Sequence, residues 1–319
     1  MYLLSDINMF LWKIKQLNIH LITMFGTGDL IYISQFVRLL AKTNTIYLET
    51  TLPKIFKDIP NVYFIDPKSD TYRTQQKEKD KDKTQYVKLP SKIDKTFKPA
   101  YAGVELLSDS IISSFYRQLE IPFTEKLEWS LPSYQEEFEK FDINLPKSKI
   151  AIIRPSTVRK EWLVETRNAN QNYIGWCSKI LKEAGYYTIA IADLKQGEEW
   201  LADGIDVPAD LKLYKGELGI YGTLELIRKA DLVVGGSGFI IPACAAMKQN
   251  LFLILGGRLG YDGISKTLHP SMDLNKIHFA SPKNPCKCSL NQHDCDKRID
   301  DLDIKFFDFL RAIQNMDNQ

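Results

Sequence analysis

A glycine-rich turn at residues 235–238 is the part of the sequence best suited to hold a ligand. It stands between an apolar run that begins at Leu232 and a helix of small residues that begins near Phe239. Glycines let the backbone approach a ligand, and the start of a helix directs unpaired N–H groups and the positive end of its dipole at it. We therefore expect an anion here. Because a strand, a glycine turn and a helix are also common as plain structure in α/β proteins, the rest of the sequence must decide.

A carboxylate follows a second glycine turn, at residues 26–28. Asp29 stands between Gly28 and an apolar helical pattern, so it falls at the start of that helix. Such a carboxylate can act as a general base when it faces a reacting hydroxyl group. It can also serve as a helix cap, because Asp is a preferred capping residue. From its position alone, capping is the favoured interpretation.

Cysteine and histidine side chains cluster near the end of the sequence. The four residues are Cys286, Cys288, His293 and Cys295. Thiolates and imidazoles are ligands of zinc, although the single residue between the first two cysteines is shorter than the usual spacing. From the residues alone, this cluster could bind zinc.

The elements that must position these groups alternate between strands and helices. In the first half, the patterns predict strands at 19–25, 46–49 and 62–66 and helices at 30–42 and 100–119. In the second half they predict strands at 150–153, 186–192 and 211–214, helices at 170–184, 221–230 and 303–313, and a strand, a helix and a strand over 232–257. This alternation indicates parallel sheets with helices on both faces. Ligands of such sheets bind beyond the carboxyl ends of the strands, where both glycine turns lie.

Two segments interrupt the alternation. Residues 75–83, QQKEKDKDK, are too densely charged to pack, so we expect a mobile, solvated loop within 68–98 and not an acceptor-binding arm. Proline and polar residues at 141–149 mark a domain boundary. The predicted domains are 1–145 and 146–319, and both have the same doubly wound architecture.

The composition favours a soluble protein with two hydrophobic cores. A formal charge of +2 makes no demand for a polyanionic partner. Residues 1–18 are apolar but interrupted by charges, and we expect an amphipathic helix that packs on the body or rests on a membrane surface. Five cysteines without a signal peptide indicate a reducing, cytoplasmic setting, with peripheral contact at the inner membrane as a further expectation.

The order of these motifs resembles that of the heptosyltransferase-like glycosyltransferases, glycosyltransferase family nine. GTGDLIYISQFVRLLAK resembles the first turn and helix of that family, and IAIIRPSTVRKEW resembles its donor-phosphate loop. LVVGGSGFIIPACAAM is similar to its donor-binding turn and helix, and CKCSLNQHDC to its cysteine-bearing tail. The resemblance covers most of the chain from Ile19 to Ile313, except the charged loop.

This resemblance implies a GT-B fold, which is two Rossmann-like doubly wound domains that face a central cleft. It implies inverting, metal-independent transfer of a sugar from a nucleotide-diphosphate-sugar, held by the C-terminal domain, to an acceptor hydroxyl bound by the N-terminal domain. It also implies that no cofactor is required, and that the cysteine-bearing tail has a structural role, as thiols or as a metal clip that holds zinc, with no part in catalysis. Asp29 matches the catalytic base of the family. The residues implied around the donor are Gly28, Ser156, Thr157, Arg159, Lys160, Arg167, Glu198 (or its neighbour Glu199), Gly236, Ser237, Gly238 and Phe239.

Two departures from the family leave the sugar open. Where the family has Asp-Thr-Gly and then a histidine, this sequence has Gly236-Ser237-Gly238 and then Ile241. The acceptor is also open, between a lipopolysaccharide-like or other surface saccharide and a hydroxymethylated base in DNA. A sugar-nucleotide binding module without transfer activity and a sugar-nucleotide epimerase are the alternatives from other classes.

Overall fold

The computed structural model of the chain describes residues 16–24, 26–67, 73–81, 85–101, 106, 109–286, 288 and 290–317. The amphipathic helix predicted over residues 1–18, and with it a membrane contact, falls outside the described residues except for its last three positions. None of the described helices combines the length and the apolar character that crossing a bilayer requires.

The described part of the first half forms a four-stranded parallel sheet. Its elements are β1 (Asn18–Ile22), α1 (Thr27–Leu40), β2 (Thr45–Glu49), β3 (Val62–Ile65), α2 (Arg73–Lys81), β4 (Lys95–Phe97), α3 (Ile111–Gln118) and α4 (Gln135–Phe138). The strand order is β3-β2-β1-β4, so β2 and β4 lie on opposite sides of β1. The segments that follow β1 and β4 therefore meet at the switch point of this sheet.

The described part of the second half forms a six-stranded parallel sheet and a short antiparallel pair, β6 with β8. Its elements are β5 (Ile150–Arg154), β6 (Thr157–Arg159), α5 (Gln171–Glu183), β7 (Tyr187–Ile191), β8 (Glu199–Leu201), β9 (Leu211–Leu213), α6 (Gly219–Lys229), β10 (Leu232–Gly235), α7 (Ile240–Met247), β11 (Leu251–Ile254), α8 (Leu259–Asp262), α9 (Ile264–Thr267), β12 (Ile277–Ala280) and α10 (Leu302–Asp317). The order β12-β11-β10-β5-β7-β9 puts the switch point between β5 and β10.

The second sheet is buried on both faces, as its apolar strands predict. Along β5, Ile150 and Ile152 belong to one core cluster, whereas Ala151 and Ile153 belong to the other. Successive side chains of a strand point to opposite faces, which explains this division. The first cluster continues through α7 and α1 into the first half, and the second lies beneath α5 and α10.

The predicted α/β class with parallel sheets is confirmed. The two sheets fall on either side of the expected boundary, since α4 ends at Phe138 and β5 begins at Ile150. The exact division into domains 1–145 and 146–319 stays a prediction. In the region predicted as a helix over 100–119, the described helix α3 begins only at Ile111, where the Oγ of Ser110 accepts a hydrogen bond from the N–H of Ser113 at 3.1 Å.

The solvated loop expected within residues 68–98 is wrong for two parts of that range. Residues 73–81 form α2, in which Thr74, Gln75 and Glu78 are buried, and residues 95–97 form β4, which pairs with β1. The physical reason is that several charges of α2 find partners in the second half of the chain instead of water. A pattern of charges cannot reveal partners that are distant in sequence.

Candidate active site

A cleft of about 420 Å³ opens at the carboxyl ends of the two sheets. Both glycine turns line it, residues 26–28 from the first half and residues 236–238 from the second. Each turn follows a strand beside a switch point, where neighbouring connections diverge and leave room for a ligand.

Close packing explains two glycines of these turns. A Cβ at Gly28 would lie 3.3 Å from the Cα of Phe239, so the start of α1 can lie directly against the start of α7. A Cβ at Gly235 would lie 2.8 Å from the backbone oxygen of Arg154 in the neighbouring strand. Two helix N-termini thus border one cleft, and both favour negative charge in it.

Asp29 occupies the first turn of α1 and lines the cleft. Its carboxylate folds back over Gly26, whose N–H donates to it, and a Cβ at Gly26 would overlap the carboxylate. The hydroxyl of Tyr101 donates a hydrogen bond to Asp29 Oδ1. Burial raises the pKa of Asp29 from 3.8 to about 6, against the lowering effects of the Tyr101 hydrogen bond and the charge of Arg167. The cap position of α1 is Gly26, and no side chain donates or accepts a capping hydrogen bond there. Asp29 therefore presents a carboxyl group to the cleft from the first turn of the helix, with a pKa closer to neutrality than that of a free aspartate.

Arg167 brings positive charge to the cleft from the second half. Its guanidinium stacks on Trp162, with 4.7 Å between Arg167 Cζ and the ring centroid. Its Nε lies 3.6 Å from Asp262 Oδ1, and its Nη2 lies 3.5 Å from the position that a Cβ of Gly238 would take. A planar cation beside a glycine turn suits the oxygens of a phosphate group.

Three residues with hydroxyl groups line the cleft on the side of the second half. The N–H of Ser156 donates to Gln171 Oε1 at 3.0 Å, and Thr157 Oγ1 donates to Glu199 Oε1 at 2.8 Å, so buried partners hold both residues in place. The Oγ of Ser237 is buried and has no hydrogen-bond partner among the described residues. Because a buried hydroxyl without a partner is unfavourable, Ser237 is suited to donate to a ligand.

Comparison with solved structures identifies the architecture. The iron-containing dodecameric glycosyltransferase TibC from enterotoxigenic E. coli H10407 matches with a TM-score of 0.62 at 13% identity, over 95% of this chain and 80% of TibC. A family nine glycosyl transferase from Veillonella parvula matches with a TM-score of 0.57 at 11% identity, over 94% of this chain and 96% of that one. E. coli ADP-heptose lps heptosyltransferase II matches with a TM-score of 0.53 at 10% identity, over 95% and 100% of the two chains.

The chain has a GT-B fold. The expected likeness to heptosyltransferases and to glycosyltransferase family nine is confirmed at the level of structure. No protein-family model matches the sequence, and neither does a curated protein.

Most of the expected donor residues line the cleft of this GT-B fold, and two do not. The residues that line it are Gly28, Ser156, Thr157, Arg159, Arg167, Gly236, Ser237, Gly238 and Phe239. Lys160 is exposed and lies outside the lining, as does Glu198, whose Oε1 lies 2.6 Å from Lys195 Nζ. Glu199, the alternative to Glu198, is buried and contacts two residues of the lining. It accepts a hydrogen bond from Thr157, and its Oε2 lies 3.2 Å from Arg159 Nε.

Arg154 and Tyr101 are among the cleft residues of the GT-B fold that were not assigned to the site from the sequence. Arg154 ends β5 at the switch point and donates to the backbone oxygen of Pro155 at 2.6 Å. Burial lowers the pKa of Arg154 to about 10, although the charge of Glu199 opposes this effect. Tyr101 follows β4 and reaches Asp29 from the strand next to β1. Arg154 could have been found from its place at a strand end, whereas the contact of Tyr101 depends on the pairing of β4 with β1, which the sequence did not indicate.

Helix α2 crosses from the first half of the GT-B fold to the second. Arg73 Nη2 donates to the backbone oxygen of Asp193 at 2.5 Å and to Glu199 Oε2 at 3.1 Å. Lys77 Nζ lies 3.3 Å from Asp193 Oδ1 and 3.3 Å from the backbone oxygen of Gly216. These contacts hold α2 against the second half, and Thr74, Gln75 and Glu78 of this helix line the cleft.

The cysteine and histidine side chains expected to form a metal clip do come together. One ligand atom from each of Cys286, Cys288, His293 and Cys295 lies within 4.8 Å of the others. His293 Nδ1 is 3.2 Å from Cys295 Sγ, and the Sγ atoms of Cys288 and Cys295 are 3.5 Å apart. Three thiols and one imidazole form a donor set that fits zinc or iron.

Proposed function

We propose that the protein is a glycosyltransferase that moves a sugar from a nucleotide-diphosphate-sugar to a hydroxyl acceptor. One observation carries this proposal: a carboxyl group with a pKa of about 6 lines the same cleft as Arg167 and the unpartnered hydroxyl of Ser237. Sugar transfer needs a base for the acceptor hydroxyl and positive charge for the departing diphosphate. The similarity in fold to solved glycosyltransferases supports the same class of reaction.

In this proposal the C-terminal half, residues 146–319, binds the donor. The diphosphate lies at the turn 236–238, where the start of α7 favours an anion. Arg167 donates to the phosphate oxygens, and Ser237 gains the hydrogen-bond partner that it lacks among the described residues. A solved complex of TibC contains ADP-D-beta-D-heptose, a donor of the proposed class. Lys160 and Glu198 are left out of the proposed donor site, because they lie outside the lining of the cleft.

Asp29 is the proposed general base. The acceptor oxygen attacks the anomeric carbon while the bond from that carbon to the diphosphate oxygen breaks, and the acceptor proton passes to the Asp29 carboxylate. Because its pKa is about 6, Asp29 is mostly ionised at neutral pH and can accept this proton. The electron pair of the broken bond stays on the diphosphate, where Arg167 and backbone N–H groups stabilise it. Attack opposite the leaving group inverts the anomeric carbon.

We propose that a metal is not needed for transfer, because guanidinium and N–H groups supply the positive charge at the diphosphate. The cluster of Cys286, Cys288, His293 and Cys295 is instead proposed as a structural site for zinc or iron. TibC, which shares the fold, is described as iron-containing. A bound ion would join four side chains of one loop and so restrict that loop.

The acceptor is proposed to bind the N-terminal half, residues 1–145, beside Asp29. We favour a saccharide of a lipopolysaccharide or another surface glycan, since one matched structure is an ADP-heptose lps heptosyltransferase. A hydroxymethylated base in DNA is the alternative acceptor. Affinity for DNA would fall steeply as salt is added, because phosphate contacts release counterions, whereas affinity for a neutral saccharide would not.

The test is to incubate the protein with a panel of nucleotide-sugars and to measure the nucleoside diphosphate released, with and without saccharide acceptors. We expect release with one donor class and its loss, by at least about a hundredfold, in Asp29→Asn, which keeps the shape of the side chain but cannot take the proton. Donor binding by Asp29→Asn should stay close to that of the wild type. Turnover near the wild-type rate in Asp29→Asn would reject the base assignment, binding without turnover would indicate a module, and a changed sugar would indicate an epimerase.

A further inference from the structure

The segment that carries the four candidate metal ligands packs directly behind Arg167. Residues 286–297 are called the cysteine loop here, although residues 287 and 289 lie outside the described part of the chain. Glu165–Arg167 is called the arginine turn. The short loop 256–258, which follows β11, contacts both of them. The described residues of the cysteine loop contain no helix or strand, so its shape depends on side-chain and backbone contacts.

Thr166 links these segments. Its hydroxyl donates to the backbone oxygen of Leu290 at 2.6 Å, and its N–H donates to the backbone oxygen of Asn291 at 3.3 Å. Its carbonyl oxygen accepts from the N–H groups of Gly257 at 2.8 Å and Arg258 at 3.1 Å. Thr166 is only 1% exposed, so these hydrogen bonds are shielded from water. The position of the arginine turn therefore depends on the cysteine loop.

A second route runs through side chains. Arg258, which is 3% exposed, donates from Nη1 to Asn291 Oδ1 at 2.9 Å and from Nε to Asp262 Oδ2 at 2.7 Å. The other oxygen of Asp262 lies 3.6 Å from Arg167 Nε. Asn291 of the cysteine loop thus orients Arg258, Arg258 orients Asp262, and Asp262 faces the guanidinium in the cleft.

Two glycines show how tightly the loop 256–258 is enclosed. A Cβ at Gly257 would overlap the Cβ of Cys295, and a Cβ at Gly256 would overlap the backbone oxygen of Arg167. Cys295 therefore packs against Gly257, and the backbone of Arg167 packs against the adjacent Gly256. A movement of Cys295 cannot be absorbed by empty space between them.

We propose that the Cys286–Cys288–His293–Cys295 cluster binds a thiophilic cation such as Zn²⁺ or Fe²⁺ and thereby positions Arg167 for the diphosphate of the donor. Binding of a diphosphate by Arg167 rests on the proposed function, whereas the coupling between the cluster and the arginine turn does not. Ligation closes the cysteine loop and lowers the number of conformations open to it. Arg167 then meets the phosphate oxygens without a further ordering cost.

A metal site that only stabilises the fold would behave differently. It would lower the melting temperature when emptied, but it would leave the affinity for a nucleoside diphosphate unchanged in protein that remains folded. A positioning role predicts a selective loss at the phosphate subsite, and this loss should require Arg167.

The experiment uses the full chain, purified under reducing conditions, with its metal content measured by inductively coupled plasma mass spectrometry. Metal is removed with a chelator and restored with Zn²⁺ or Fe²⁺, and circular dichroism checks that the stripped protein is folded. Calorimetry then compares ADP, UDP and GDP with the corresponding nucleosides. We expect removal of the metal to weaken diphosphate binding about tenfold, the size of one charge-assisted hydrogen bond, and to leave nucleoside binding unchanged.

The control is the Arg167→Ala variant, which lacks the guanidinium that the metal is proposed to position. In this variant, removal of the metal should no longer change the affinity for the diphosphate. Hydrogen exchange at the N–H groups of Gly257 and Arg258, which donate to Thr166, gives a readout that needs no ligand. These amides should exchange faster in the stripped protein. If loaded protein binds no diphosphate while these amides respond to the metal, the proposed function fails and the coupling stands. The coupling is overturned if the amides do not respond, or if the chain takes up neither metal.

A second variant avoids the ligands themselves. Asn291→Ala removes the oxygen that orients Arg258 but leaves all four ligand side chains in place. We expect full metal content and weaker diphosphate binding in this variant. Full metal content with wild-type affinity would show that the side-chain route does not position Arg167.

Discussion

Asp29 is subject to opposing effects on its proton affinity. Burial raises its pKa to about 6, whereas the hydrogen bond from Tyr101 and the charge of Arg167 lower it. Burial disfavours the ionised carboxylate, and a donor that stabilises the ionised form acts in the other direction. Tyr101 therefore helps to set the pH above which Asp29 can serve as the proposed base.

Replacement of Tyr101 with phenylalanine should raise the pKa of Asp29 above about 6, because the hydroxyl that stabilises the carboxylate is lost. A base must be ionised to accept a proton, so activity should fall on the acidic side of the profile and recover at alkaline pH. We expect the acidic limb of kcat/KM to move upward by about one pH unit, the equivalent of one hydrogen bond to a charged group. The measurement is the pH dependence of kcat/KM for sugar transfer.

Tyr32→Phe is the matched control for this prediction. Tyr32 also lines the cleft, but its hydroxyl donates to the backbone oxygen of Thr267 at 2.7 Å and not to Asp29. The acidic limb should therefore keep its position in Tyr32→Phe. Equal shifts in both variants would mean that Tyr101 acts through general packing and not through its hydrogen bond.

The sequence was informative about residues whose neighbours along the chain determine their environment. Asp29 follows one glycine turn and Ser237 lies within the other, each beside the start of a helix, and both line the cleft. Their catalytic and donor-binding roles stay predictions. The contact of Tyr101 with Asp29 could not be found, because it depends on the pairing of β4 with β1. The sequence implied both Lys160 and Arg167 at the donor and could not separate them, whereas in the structure only Arg167 lines the cleft.

At the scale of elements, α2 connects the two halves of the GT-B fold across the cleft. The side chain of Arg73 is 19% exposed and contacts Glu199, whose side chain is 2% exposed. Removal of one partner from an ion pair that is mostly shielded from water costs more than removal at the surface, because the other charge is left buried without a partner. Helix α2 is therefore anchored by contacts with the second half, and its own sequence offers no apolar stripe to replace them.

Replacement of Arg73 with alanine should loosen α2, because it removes the hydrogen bonds to Asp193 and Glu199. We expect the backbone amides of α2 to exchange with deuterium about tenfold faster, as local opening becomes easier by roughly one charge-assisted hydrogen bond. Hydrogen exchange measured by mass spectrometry checks this. Lys79→Ala is the control, since Lys79 lies on the same helix but pairs with Asp66 of the same half. Equal exchange in the two variants would contradict a role of α2 in bridging the halves.

Apolar elements were predicted well, whereas α2 and three very short strands were not. The strand, helix and strand expected over 232–257 are present as β10, α7 and β11. They could be predicted because their sequence is almost continuously apolar, as buried elements require. Helix α2 has no such signal. The three-residue strands β4, β6 and β8 were missed, because their pairing partners are distant in sequence. The equally short β9 was predicted, from the apolar residues of 211–214.

At the scale of the molecule, the two sheets share one core. The core cluster that covers one face of the second sheet continues through α7 and α1 to the first sheet. Buried polar contacts reinforce this junction: the N–H of Tyr134 donates to Glu225 Oε2 at 2.8 Å, and Glu225 is 3% exposed. Separation of the halves would expose apolar surface and leave such groups without partners, and both effects are unfavourable.

The intact chain should therefore unfold in a single cooperative transition, even though it contains two sheets. Differential scanning calorimetry should give one peak in which the calorimetric and van't Hoff enthalpies agree, the usual criterion for a two-state transition. A bound nucleoside diphosphate should move this peak to higher temperature as a whole, because a ligand that binds only the folded state stabilises everything that unfolds with its site. Residues 146–319 expressed alone should melt at a lower temperature than the intact chain, since α6 and α7 lose their partners α4 and α1. Two separate peaks in the intact chain, with only one of them raised by the ligand, would show that the halves fold independently and that the shared core contributes little.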